Sequence, residues 1–155
     1  MKRLNRGRIF LFCCMLLLTG CTASQQQEDT LTAIEVVIAL PDSINTDEKT
    51  KISAAVTQGN EKVEDANEVE FEIWAAGSKE DSYLVEGNHE GNGIYSGDAF
   101  FSAEGVYYIQ AHVTARNMHS MPKVKAAVGT IDPEEWERAG EEEQQQKTEE
   151  ASSHH

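Results

Sequence analysis

Past residue 21 the chain contains no cysteine; its three cysteines are Cys13, Cys14 and Cys21. A domain built from the remainder has no thiol nucleophile, no thiolate metal ligand and no disulfide, even in a compartment that would permit one. Basic residues are also scarce, with 13 Lys and Arg against 27 Asp and Glu, for a formal net charge of -14. Such a field disfavours nucleic acid and direct adsorption to anionic lipid, and attracts small cations and basic partners. A glycine-rich phosphate loop and a strained serine elbow are both missing, and "HEGNG" lacks the partners of a metallohydrolase. The chain is therefore read as a non-enzyme.

There is one long apolar run, "IFLFCCMLLL" at residues 9–18, preceded by Lys2, Arg3, Arg6 and Arg8. It is too short to span a bilayer permanently, and with its cationic flank it reads as a secretory signal over residues 1–20. "LTGC", ending at Cys21, resembles a bacterial lipobox, in which the cysteine is diacylated and becomes the mature N-terminus. Two acyl chains anchor a protein stably. The expectation is a protein lipid-anchored through Cys21 on the extracytoplasmic face of the cell membrane. Loss of the four basic residues in 1–20 moves the net charge from -14 to -18.

Residues 21–31 are polar, lack periodicity and read as a tether. Residues 132–155 are acidic, with Trp136 as their one large apolar side chain. Asp132 as N-cap, Pro133 at the first helical position and Glu134 and Glu135 in the first turn predict a short helix. That helix is expected to fray into a disordered tail that builds no core, with His154 and His155 near its end.

The domain proper is residues 32–131. Its pattern has period two and predicts seven strands, at 32–40, 49–57, 68–76, 82–88, 93–101, 106–115 and 123–131. In the third, Val69, Phe71 and Ile73 point one way and Glu68, Glu70, Glu72 and Trp74 the other. In the sixth, Tyr107, Ile109, Ala111 and Val113 face in while Tyr108, Gln110, His112 and Thr114 face out. Sheets with one wet face alternate in this way. Tyr107, just after a turn, has the placing of a tyrosine corner. The fold class expected is all-β: an immunoglobulin-like, seven-stranded antiparallel β-sandwich. The antibody-type subclass is excluded, since no disulfide joins the sheets and Trp74 has the outward parity.

In such a sandwich the loops after the second, fourth and sixth strands gather at one pole. They bring together Glu61, Glu64 and Asp65, then His89, then "MHSM" at residues 118–121. His112 should lie across from Glu68 or Glu70. Met118 and Met121 are the two methionines outside the signal, and His119 stands between them. Thioether sulfur is a soft donor that suits Cu(I), and imidazole serves both copper oxidation states. Zinc would usually require more His or Cys, and calcium an ordered ring of oxygens. The candidate copper ligands are Met118, His119 and Met121, with His112 or His89 completing the site. A loop whose methionines tuck against the sandwich end would leave the same residues without a ligand role.

The runs "KVEDANEVEFEIW", "HEGNGIYS" and "GVYYIQAHVTARNMHSMPK" resemble the YtkA-like family, small bacterial lipoproteins related to FixH. The resemblance implies a β-sandwich on the outer face of a Gram-positive-type membrane. It also implies a part in delivering copper during cytochrome oxidase assembly, with an oxidase subunit or another copper chaperone as partner. The competing expectation is a metal-free interaction module, a scaffold at the membrane surface whose acidic faces dock a basic partner.

Overall fold

The structure is a computed structural model that describes residues 32–152. The expected signal peptide, the tether, Cys21, His154 and His155 lie outside the described residues. Among those described, no helix is long and apolar enough to cross a membrane.

Among the described residues, ten strands, a short 3-10 helix (Lys79–Asp81) between the fourth and fifth of them, and one α-helix make up the fold: β1 (Ile34–Ala39), β2 (Lys49–Gln58), β3 (Glu61–Lys62), β4 (Glu68–Ala75), β5 (Tyr83–Glu86), β6 (Asn88–Gly91), β7 (Ile94–Phe100), β8 (Gly105–Ala115), β9 (Met118–Ser120), β10 (Lys123–Val128) and α1 (Pro133–Ser152). One sheet runs β1-β2-β7-β6 with β3 on β2; the other runs β10-β8-β4-β5 with β9 on β8. All ladders are antiparallel. The core between them holds the inward residues predicted from alternation: Phe71, Ile73, Ile109 and Val113 are fully buried, with Ile52 and Val56 from β2, Val128 from β10 and Phe101 just past the end of β7. Each such side chain contributes about 1.5–3 kcal/mol by leaving water. The tyrosine corner is present, the Tyr107 hydroxyl donating to the Ala103 carbonyl at 3.1 Å.

Three expectations are corrected. The strand expected at 82–88 is two strands on different sheets, β5 on β4 and β6 on β7. Gly87 stands at the crossing, where its amide donates to the Val69 carbonyl at 2.8 Å. A Cβ there would lie 2.7 Å from Val69 Cγ1 and 3.2 Å from Phe71 Cε2. Its neighbour Gly97 has the Glu86 carbonyl oxygen 2.6 Å from where its Cβ would stand. Only glycine lets the chain pass so close to both ladders.

The expected loop at 116–122 is mostly a hairpin. β8 ends at Ala115, the chain reverses through Arg116 and Asn117, both at positive φ (52° and 60°), and β9 returns along β8. Two successive left-handed residues make the tight turn whose twist matches antiparallel strands. Arg-Asn is not the usual sequence for such a turn, so its signal was weak.

The acidic C-terminal segment forms a 20-residue helix that docks on the sandwich. Its predicted start holds: Asp132 Oδ1 accepts from the Glu134 amide at 2.8 Å. Tyr108 and Lys125, on the outer face of the second sheet, bond the Ala139 and Trp136 carbonyls at 2.6 and 2.7 Å. Lys123 pairs with Glu143 at 2.7 Å, and Ala139 is buried. Trp74 keeps its outward parity yet is only 5% exposed. Tyr108 packs against its ring, and the ammonium groups of Lys79 and Lys123 lie 5.0 and 5.7 Å from its centroid.

Candidate metal site

The outer face of the second sheet positions the site. Antiparallel pairing sets Glu68 opposite Thr114, Glu70 opposite His112 and Glu72 opposite Gln110. On the other side of β8, Thr114 faces His119 and Gln110 faces Lys123. The register is the same on both sides of Pro122, so Met121 stands opposite His112. Ladder contacts hold it there: the Ala111 amide donates to the Pro122 carbonyl at 2.9 Å and the Gln110 side chain to the Met121 carbonyl at 3.3 Å. Proline has no N–H to return, which interrupts the ladder between β9 and β10.

His112, His119 and Met121 are thus brought to one face. The imidazole centroids of His112 and His119 are 6.2 Å apart. With nitrogen ligands about 2 Å from a metal, two imidazoles sharing one ion have centroids at most roughly 6 Å apart, so the observed spacing stands near that limit. Met121 is 49% exposed. Among the described residues no three His, Cys, Asp or Glu side chains form a metal-holding group. A metal at this face would therefore depend on the thioether as its third protein ligand.

Met118 and His89 are placed elsewhere. Met118 stands opposite Ala115, with the inward parity, and packs against the core. His89 belongs to β6 of the other sheet, its ring 4.8 Å from that of Tyr95. It lines a cleft of about 420 Å³ together with Asn67, Glu68, Glu70 and Glu86. The acids expected at the hairpin pole are occupied in part by the turn itself: Arg116 donates to Gln58 at 2.6 Å and to Glu61, and lies 3.5 Å from Asp65.

Both imidazoles at the face are held by neighbours. His112 Nε2 lies 3.1 Å from Glu72 Oε2. Glu70 is the direct cross-strand partner, but Glu72, one diagonal step away, takes the bond, as long side chains on a sheet can. The Ser82 hydroxyl donates to the other Glu72 oxygen at 2.8 Å. Burial works against the Glu72 charge, but hydrogen bonds from Ser82 and His112 and the charge of Lys79 outweigh it and lower the carboxyl pKa. His119 Nδ1 lies 3.0 Å from Thr114 Oγ1. Glu72, Ser82 and Thr114 carried no signal of their own in the sequence. The outward parity of Glu72 and Thr114 was readable, but the bond of Thr114 to His119 depended on register across a turn that reads as a loop, and those of Glu72 on the β4–β8 pairing and on the approach of Ser82.

No curated protein matches the chain. Among solved structures it is similar to an endo-beta-1,4-mannanase from Thermotoga petrophila, at 16% identity and TM-score 0.44, over 63% of this chain and 20% of that one. It thus spans about a fifth of the mannanase. It is also similar to the PmoD soluble domain from Methylocystis sp., at 15% identity and TM-score 0.43, over 62% of this chain and 90% of that one. A third is the CARDB domain of the PF1109 protein from Pyrococcus furiosus in complex with di-metal ions, at 16% identity and TM-score 0.39, over 64% and 90%. A family match runs over residues 28–112, more than half of the chain, from before β1 to His112 in β8. The chain belongs to the YtkA-like family.

Proposed function

We propose that this domain carries copper as cargo, held at the outer face of the second sheet by His112, His119 and Met121. The observation behind this reading is the register that sets two imidazoles 6.2 Å apart with a solvent-exposed thioether opposite one of them. Two imidazoles and a thioether are a soft, neutral set suited to Cu(I), and an open face lets the ion leave as readily as it arrives. In this reading the protein is lipid-anchored through Cys21 on the extracytoplasmic face. It passes its ion to a cytochrome oxidase subunit or to another copper chaperone. Met118 and His89 have no ligand role in it.

The test is competition for Cu(I) between the chain from residue 22 onward and a chromophoric chelator. This length contains the core of the described residues, which lies within residues 34–139. The wild type should outcompete a variant with alanine at 112, 119 and 121. Equal competition would sink the copper reading in favour of the metal-free interaction module. That module has its own support in the carboxylates of Glu68, Glu70, Glu72 and Glu86, which occupy the adjoining strands.

A further inference from the structure

We infer that Glu72 and Thr114 are positioning residues that present unlike ring nitrogens to the metal, Nδ1 of His112 and Nε2 of His119. The inference rests on the copper reading for its purpose, but its geometry belongs to the metal-free protein.

A carboxylate can only accept. With Glu72 Oε2 at 3.1 Å, His112 carries its proton on Nε2 and leaves Nδ1 bare. Ser82 donates to the second Glu72 oxygen at 2.8 Å and fixes the carboxylate in that orientation. On the other ring the polarity arrives through a hydroxyl. Thr114 Oγ1 lies 3.0 Å from His119 Nδ1 and 3.5 Å from Glu68 Oε2, the outer limit at which it can donate to that carboxylate. With its proton turned to that carboxylate the hydroxyl accepts from the ring, the arrangement that puts the His119 proton on Nδ1 and leaves Nε2 bare. Two carboxylates on β4 thus set both tautomers, one directly and one through Thr114. The ring nitrogen opposite a fixed N–H is the one that ligates.

The assignment for His119 is the discriminating one, because free histidine favours the opposite tautomer. It is read from long-range proton–nitrogen spectra of the metal-free chain from residue 22 onward, at a pH where both rings are neutral. His112 should appear as the Nε2–H form and His119 as the Nδ1–H form. Thr114→Val should return His119 to the Nε2–H form, while Thr114→Ser, which keeps the hydroxyl, should not. Glu72→Ala should release His112 into a mixture, while Glu72→Gln keeps an acceptor and should hold it. In Cu(I) competition, Thr114→Val and Glu72→Ala should each lose about 10–100-fold in affinity, with the conservative variants close to wild type.

A wild-type His119 in the Nε2–H form, or a Thr114→Val spectrum unchanged from wild type, overturns the positioning role even if copper binds. Tautomers as assigned in a chain that does not compete for copper overturn the copper reading and leave the positioning intact.

Discussion

The hydroxyl of Tyr108 donates to the carbonyl of Ala139 at 2.6 Å, joining the outer face of a β-sheet to the flank of a helix that follows it in sequence. Both residues are buried, and Tyr108 also lies against Trp74. A buried hydroxyl bond of this kind contributes about 0.5–1.5 kcal/mol. Tyr108→Phe should therefore lower the unfolding free energy by about 1 kcal/mol in urea. Ala139→Asp, which sets a charge in the same interface, should expose Trp74 and Trp136 to an aqueous fluorescence quencher without unfolding the sheets.

The crossing between the sheets yields a second expectation. At Gly97 the Glu86 carbonyl and Val85 Cγ1 both stand 2.6 Å from where a Cβ would be. Backbone atoms cannot swing aside as a flexible side chain does. Gly97→Ala should cost about 1–3 kcal/mol, as overpacking does, measured from the urea midpoint at unchanged slope. Substitution of Gly91, with open space around its Cβ but a φ of 95°, would be strained by its backbone alone.

The two methionines should separate cleanly. Met121→Ala removes an exposed thioether and should weaken Cu(I) binding by more than the roughly 10–100-fold typical of an outer-shell change, with little effect on melting. Met118→Ala opens partly buried packing and should cost less than the about 2–5 kcal/mol of a fully buried methionine, leaving copper affinity near wild type. Chelator competition and thermal melting on the same two variants check both statements. A larger copper loss at 118 than at 121 would contradict the assignment of faces.

Acid should loosen the domain through its ion pairs. The hydrogen bond and charge of Arg116 lower the pKa of Glu61, and the bonds from Lys51 and Ser96 lower that of Glu90. A carboxyl with a depressed folded pKa contributes stability above its unfolded value, and that contribution disappears as pH falls through the folded one. Melting temperature should therefore decline as pH drops below about 4.5, the ordinary glutamate range. The double variant Glu61→Gln, Glu90→Gln should decline less steeply across the same interval. Both pairs are solvent-exposed, so added salt should flatten the wild-type curve as well.

Much of the sandwich was legible from alternation because hydrophobic periodicity directly reports which face a residue takes. Val69, Phe71 and Ile73 against Glu68, Glu70 and Glu72 left no other arrangement. The parities of Trp74 and His112 were readable for the same reason. Partners across the chain were not, since they depend on turns. Arg116 and Asn117 close a two-residue hairpin without glycine, and that choice decides whether Met118 or the pair His119 and Met121 shares the outer face with His112. Gly87 carried no hint that the strand on either side of it serves two sheets. Helix α1 showed its start through Asp132 and Pro133, but its docking rests on Tyr108, Lys123 and Lys125, whose outward parity suggests solvent.

The passage of residues 83–91 from one sheet to the other also bears on the missing cysteines. β5 is laddered to β4 and β6 to β7, with no intervening loop to give slack. Sliding one layer past the other would stretch main-chain hydrogen bonds in both at once. The backbone itself is the tie across the core, a mechanical cross-link that needs no oxidant to form and that no reductant can open.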